Sequence, residues 1–256
     1  KIIHSQVLIL LKLVSLITSN SFYAPHTKSA HPKKMNNPNI LITNDDGIHA
    51  SGIYALWEAM SQIGRVTVVA PNTEKSAVGH AITISDPIRI QEITRHGGFE
   101  GYSVNGTPAD CVKVAFYSIM DDKPDLIVSG INMGANIGTN ILYSGTVSAA
   151  NLGTMKGIPS IAYSLDTIRN GDFTASKPIT QKVAKKVLEN GMPKGTLLNV
   201  NIPNCDKNDI QGFRVTKQGT EFWEDLLESR DDPRGRKYLW MTGKRINEDD
   251  ALDLDG

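Results

Sequence analysis

Ile40-Leu41-Ile42-Thr43-Asn44-Asp45-Asp46-Gly47 is an apolar run that stops at an amide, two adjacent carboxylates and a glycine. A short apolar run bounded by turn residues reads as a buried parallel strand. Its carboxyl end carries hard oxygen donors, and ligands bind beyond the carboxyl ends of strands in open α/β sheets. Two neighbouring carboxylates repel each other, and a divalent cation between them relieves the repulsion. The plainer alternative for this motif alone is a solvated Asp-Asp-Gly turn.

Working outward from this strand, helix and strand signals alternate. Ile53, Leu56, Trp57 and Met60 recur at helical spacing, and Gly64 closes that helix. Val66 to Ala70 reads as a second apolar strand ended by Pro71. Ile82 to Ile84 and Ile88 to Ile90 alternate like a hairpin or edge strands around Asp86-Pro87. Thr107-Pro108-Ala109-Asp110 supplies a cap, a first-turn proline and a first-turn acid, predicting a helix through Val112, Ala115 and Phe116. Asp125 to Ser129 is a third core strand, opening into a glycine-rich loop from Gly130 to Gly138. Thr146 to Lys156 is a helix rich in small residues, Ser160 to Ser164 a strand, Thr180 to Asn190 an amphipathic helix, and Leu197 to Ile202 a strand. The alternation predicts an α/β fold, a Rossmann-like doubly wound, mostly parallel sheet. From Cys205 onward the pattern changes. Phe213 to Thr216 and Tyr238 to Met241 read as short antiparallel strands around a charged stretch, Glu221 to Lys237, forming a C-terminal β-hairpin arm.

The chain of 256 residues is 40% hydrophobic, long enough for one large α/β domain with an appendage. Lys+Arg and Asp+Glu are both 27, so no positive excess marks a nucleic-acid polymer as partner. Cys111 and Cys205 form no CxxC, which fits a reducing cytoplasm rather than a disulfide framework or zinc site. Val7 to Ile17 is apolar but interrupted by Lys12 and too short to span a bilayer. It has the look of a signal-peptide core, yet no clean small-x-small cleavage site follows. Met35, just ahead of the first core strand, reads as the natural start. The expected division is therefore an extension outside the fold over 1–34, a catalytic domain over 35–204 and the arm over 205–256.

Three strand ends bring oxygen donors to one edge of such a sheet. They offer Asn44, Asp45 and Asp46, then Ser76 in Asn72-Thr73-Glu74-Lys75-Ser76, then Asn132 in Ser129-Gly130-Ile131-Asn132. Carboxylate, hydroxyl and amide oxygens suit Mg²⁺ or Mn²⁺ rather than zinc or copper. Tyr143-Ser144-Gly145-Thr146 leads into a helix, whose free N–H groups with the Ser144 and Thr146 hydroxyls suit a phosphate. An ordinary Ser/Thr cap is the alternative there. Asn136, in the glycine loop, adds an amide to the phosphate-binding set. The sequence has no GxGxxG, no GxxxxGK[ST] and no GxSxG.

With these residues in view, the chain resembles the SurE (survival protein E) family. The matching stretches are NDDG at 44–47, VVAP at 68–71 with Ser76, NGTPADCV at 105–112, SGIN at 129–132 with GAN at 134–136, YSGTV at 143–147 and LLNVNIP at 197–203. The resemblance implies that Asp45, Asp46, Ser76 and Asn132 hold one Mg²⁺ or Mn²⁺ per subunit. It implies a cytoplasmic phosphohydrolase of nucleoside 5′- and 3′-monophosphates, a homodimer or homotetramer through its C-terminal arm. The family has no counterpart of residues 1–34, and its members carry a further strand-bearing tail beyond the position of Gly256.

The expected function is thus a metal-dependent phosphomonoesterase with no membrane partner. Asp45 is the candidate general base, with a covalent aspartyl-phosphate route as the mechanistic alternative. Two rivals follow from the same residues. A non-catalytic nucleotide-binding module would need the phosphate cradle but no metal. An acyl hydrolase would use Ser144 or Ser76 with His80.

Overall fold

The computed structural model of the protein describes residues 6–13, 37–220 and 222–246. Within these residues the chain clusters into two compact units, one of 1–136 with 143–217 and one of 137–142 with 218–256.

The larger unit is built on a nine-stranded sheet. In chain order its elements are β1 (Gln6–Leu13), β2 (Asn39–Thr43), α1 (Ser51–Met60), β3 (Arg65–Pro71), β4 (Ile90–Thr94), β5 (Glu100–Val104), α2 (Pro108–Val114), β6 (Leu126–Met133), α3 (Gly145–Met155), β7 (Ser160–Asp166), α4 (Ser176–Asn190), β8 (Thr196–Pro203) and β9 (Gly212–Thr216). The strand order is β4-β5-β3-β2-β6-β7-β8-β1-β9. Pairing is parallel from β5 through β8 and between β1 and β9. It is antiparallel for β4 with β5 and for β8 with β1. The doubly wound, mostly parallel sheet expected from the alternation is therefore what forms.

Side chains of β2 alternate between two cores, as strand geometry requires. Ile40 and Ile42 pack with Ile53 and Leu56 of α1 and Ile179 and Val183 of α4. Leu41 packs with Cys111 and Val112 of α2 and Ala149 of α3. Helices thus cover both faces, which explains why β2 reads as a continuous apolar run. The small residues of α3 let it lie close to the sheet. A Cβ on Gly153 would stand 2.5 Å from Ile127 Cδ1 and 2.4 Å from Ser160 Oγ. Thr107 caps α2 as expected: its hydroxyl accepts from the Asp110 N–H at 3.1 Å, and the Asp110 carboxylate accepts from the Thr107 N–H at 3.0 Å.

Four local expectations are corrected. Residues 82–89 form no strand; the hairpin lies one step later, β4 with β5. The reason is side-chain capture. Asp110 takes the N–H and hydroxyl of Thr83, and Asn105 takes the Arg89 N–H, so these backbone groups are used away from a ladder. β6 continues through Gly130 to Met133, with a register shift between Ser129 and Asn132, where a glycine loop was expected. β9 joins the main sheet in parallel with β1 instead of forming an arm strand. Finally, much of the charged stretch is itself strand.

That strand belongs to the smaller unit, where β10 (Phe222–Asp231) pairs antiparallel with β11 (Lys237–Ile246). The Asp232 carboxylate closes the turn, accepting from the Arg234 and Arg236 N–H groups at 2.8 and 2.9 Å.

Of residues 1–34, only 6–13 lie among the described residues, and they fill the slot between β8 and β9. Deleting residues 1–34 removes that strand while leaving β2, β3 and β6 intact. The expected outcome is catalytic activity retained per folded molecule and a melting temperature lowered by about 2–4 °C for each kcal/mol of pairing lost. Differential scanning calorimetry beside a phosphatase assay checks both.

Candidate active site

The turn after β2 is closed by its own amide. Asn44 Nδ2 donates to the Gly47 carbonyl at 2.9 Å, and the Gly47 N–H donates to Asn44 Oδ1 at 3.2 Å. Gly47 sits at φ 97°, a conformation glycine adopts without penalty. Two backbone bonds stitch this turn to the loop after β3: Ile48 N to the Pro71 carbonyl at 2.8 Å and Lys75 N to the Asp45 carbonyl at 2.7 Å.

These bonds hold Asp45 and Asp46 side by side at the strand end. Asp45 is only 5% exposed. The start of α3 abuts it. The Thr146 hydroxyl and backbone N–H both donate to the Asp45 carboxylate. A Cβ on Gly145 would stand 2.7 Å from Asp45 Cβ, so only glycine lets the helix begin so close. Asp46 accepts from the Met133 N–H at the end of β6. Burial pushes the Asp45 carboxyl above its ordinary range, against the pull of the Thr146 hydroxyl. Burial first, and the neighbouring Asp45 charge second, push Asp46 up to about 7.

The other expected ligands sit at the end of β6, Asn132, and on the loop after β3, Ser76. Asn132 donates through Nδ2 to the Gly134 carbonyl at 2.7 Å, which leaves its Oδ1 without a hydrogen-bond partner among the described residues. Ser76 is exposed, and its hydroxyl donates to Glu74 Oε1 at 2.5 Å. The Glu74 charge acts on both Asp45 and Asp46. Glu74 is thus a third carboxylate at this edge, adjacent to Ser76 in sequence space yet unmarked as a site residue by spacing alone.

This donor set fits a hard cation. Buried Asp45 and half-buried Asp46, both held above their ordinary pKa, would be relieved by a divalent ion, and amide and hydroxyl oxygens would add further hard donors. Among the described residues no three His, Cys, Asp or Glu side chains group as a metal cluster, so Glu74 does not join Asp45 and Asp46 as a third carboxylate ligand.

The phosphate candidates are engaged differently. The Ser144 hydroxyl accepts from the Val147 N–H at 3.1 Å and so caps α3. The donors of Thr146 are spent on Asp45. Asn136 is buried, and its Nδ2 donates to Ser164 Oγ at 2.8 Å. Its backbone N–H and carbonyl are bound by Asn199 and Asn201 of β8. Those asparagines lie in LLNVNIP, a stretch with family resemblance but no sequence signal of its role. The acyl-hydrolase arrangement does not form: His80 Nε2 pairs with Asn151 Nδ2 at 2.8 Å, while Ser76 bonds Glu74 and Ser144 caps its helix.

A mostly parallel, doubly wound sheet with an acidic, oxygen-rich site at its strand ends defines an α/β protein whose strand-end loops gather hard oxygen donors. The family model of survival protein SurE matches residues 40–225, and the chain belongs to that family. It is 49% identical over 222 residues to a protein of Chlorobium limicola named 5′-nucleotidase SurE, covering 87% of this chain and 86% of that one. A protein of the same name from Syntrophobacter fumaroxidans is 48% identical over 211 residues, 82% of this chain and 84% of its own. The crystal structure of the Sure protein from Aquifex aeolicus superposes with a TM-score of 0.70 at 42% identity, covering 81% of this chain and 83% of that one.

The raised carboxyls have a consequence for the metal-free protein. A folded-state pKa of about 7 against an ordinary 3.8 means the folded form holds the Asp46 proton more tightly than the unfolded form. That stability is complete below about pH 4 and is lost as pH rises toward 7, at up to about 1.4 kcal/mol per pH unit for one group. Chelator-treated protein is expected to melt at a lower temperature at pH 7.5 than at pH 5. Asp46→Asn flattens the trend, and Mn²⁺ reverses it. Thermal melts across that pH range, with and without Mn²⁺, measure all three.

Proposed function

We propose that this chain is a divalent-metal-dependent phosphomonoesterase that hydrolyses nucleoside 5′- and 3′-monophosphates to nucleoside and phosphate. One observation carries the reading: buried Asp45 stands beside half-buried Asp46 and lies against the start of α3, in a chain nearly half identical to proteins named 5′-nucleotidase. A non-catalytic nucleotide-binding module would have no use for two adjacent carboxylates partly withdrawn from water, which cost stability unless a cation joins them.

Asp45, Asp46, Ser76 and Asn132 are the residues that would hold Mg²⁺ or Mn²⁺, through carboxylate, hydroxyl and amide oxygens. Such an ion supplies Lewis-acid polarisation of a phosphoryl oxygen and offsets charge in the transition state. The protein groups do the rest. The Thr146 hydroxyl and N–H fix the rotamer of Asp45. The Met133 N–H does the same for Asp46. The Gly145 N–H and the positive end of α3 face the anion, assisted by the Ser144 hydroxyl proton. Asp45, whose carboxyl burial raises above its ordinary range, is the group we assign to take a proton from the attacking water; direct attack by its carboxylate is the second route.

Asp45→Asn and Asp46→Asn are each expected to lower kcat/KM on adenosine 5′-monophosphate more than about 100-fold, beyond what outer-sphere changes produce. Chelation abolishes activity, and Mn²⁺ or Mg²⁺ restores it in wild type only. Equal rates for wild type and both variants at saturating Mn²⁺ would sink the metal-site reading.

Among the described residues no helix is long and apolar enough to cross a membrane, and Cys111 and Cys205 are free thiols. We place the protein in the cytoplasm on that chemistry. We also assign the arm an assembly role. A two-stranded hairpin is at best marginally stable alone in water. This one leaves Leu227, Leu239, Trp240 and Met241 each more than half exposed. Tyr238 and Phe222 are about 40% exposed, and the side chain of Trp223 lies outside the described ones. Apolar surface of this kind marks an interface. Light scattering is expected to show a dimer or larger for the full chain and a monomer for a chain ending at Lys217. Two monomers would remove the assembly role.

A further inference from the structure

Asn136 is the last residue of the larger unit before the chain passes into residues 137–142 of the smaller one. It is also held more completely than its neighbours. Its N–H donates to Asn201 Oδ1 at 2.8 Å, and its carbonyl accepts from Asn199 Nδ2 at 2.8 Å and Asn201 Nδ2 at 3.1 Å. Its own Nδ2 donates to Ser164 Oγ at 2.8 Å. All four residues are buried. Asn199 Oδ1 is buried without a hydrogen-bond partner among the described residues, so the four bonds named hold the clasp, and any slip would leave several further polar groups unpaired at once.

Just upstream lie Asn132, with its unengaged Oδ1, and Met133, whose N–H holds Asp46. We infer that Asn199 and Asn201 of β8, with Ser164 of β7, are positioning residues for the cation site: by clasping Asn136 they anchor the chain just beyond the end of β6, the strand end that presents Asn132 Oδ1 and the Met133 N–H. The inference rests on the metal-site reading above. The asparagine pair is spaced i, i+2 on β8, so both amides emerge from one face of the strand. Sequence alone shows that spacing but not the loop that it meets.

The test is the Mn²⁺ dissociation constant of the full chain, followed by electron paramagnetic resonance titration of free Mn²⁺. Asn201→Ala is expected to weaken binding by about 10- to 100-fold, the range for outer-shell partners. Ser164→Ala shifts it in the same direction by less. Val187→Ala, a core truncation on α4, is the control for general loss of stability and is expected to stay within about twofold of wild type. If Asn201→Ala fails to fold, Ser164→Ala carries the test. Binding by both clasp variants within twofold of wild type overturns the proposal. So does equal weakening in the Val187→Ala control, which would mean general softening. A wild type that does not bind Mn²⁺, or an Asp46→Asn variant that binds as tightly as wild type, overturns the metal-site reading and the clasp with it.

Discussion

Two neighbouring carboxylates, Asp45 buried and Asp46 half-buried, are the constraint around which the larger unit is organised. Unit charges about 4 Å apart in a protein interior of effective dielectric about 20 repel by about 4 kcal/mol. Nothing in the apolar cores under β2 compensates this. The compensation comes from the strand-end loops: the α3 N-terminus grips Asp45, the end of β6 offers an N–H to Asp46, and the remaining oxygen donors suit a cation. Ionising both carboxylates is therefore costly without further charge compensation, which is what the proposed divalent ion would supply.

Close approach of α3 is what makes this arrangement reachable. Gly145 removes a side chain where the helix meets Asp45, and Gly153 removes one where it meets β6 and β7. A helix with ordinary side chains at these positions would stand off the sheet, and its N-terminal donors would miss the carboxylate. The same helix packs Ala149 into the core with Leu41, so the burial that stabilises the fold also sets the distance at the site. Stability and function share these contacts.

The family match spans residues 40–225, and β1 lies outside it, yet β1 pairs with both β8 and β9 within the main sheet. An open sheet edge attracts any extended apolar segment, since main-chain hydrogen bonds carry no sequence requirement. The clasp on Asn136 lies on the neighbouring strand β8. Elements added at this side of the sheet therefore lean on the strand that anchors the chain just beyond the end of β6.

Much of this was legible in the residues themselves. The apolar run ending in Asn44-Asp45-Asp46-Gly47 announced a buried strand with a charged end, because period and polarity are local properties. The cap at Thr107 and the small-residue helix were legible for the same reason. What sequence did not determine were pairings between distant segments. Residues 82–90 alternate like strands, but Asp110 and Asn105 capture their polar groups. Thr146 reads as a phosphate donor, but in the fold it serves Asp45. Asn136 reads as a ligand-binding amide, but Ser164, Asn199 and Asn201 occupy it. Each of these outcomes is a competition for hydrogen-bond donors and acceptors between groups 16 or more residues apart. The sequence by itself determined which residues could carry the chemistry and the order of the elements; tertiary structure decided which oxygen meets which donor, because only packing sets the distances over which a hydrogen bond or a buried charge pair acts.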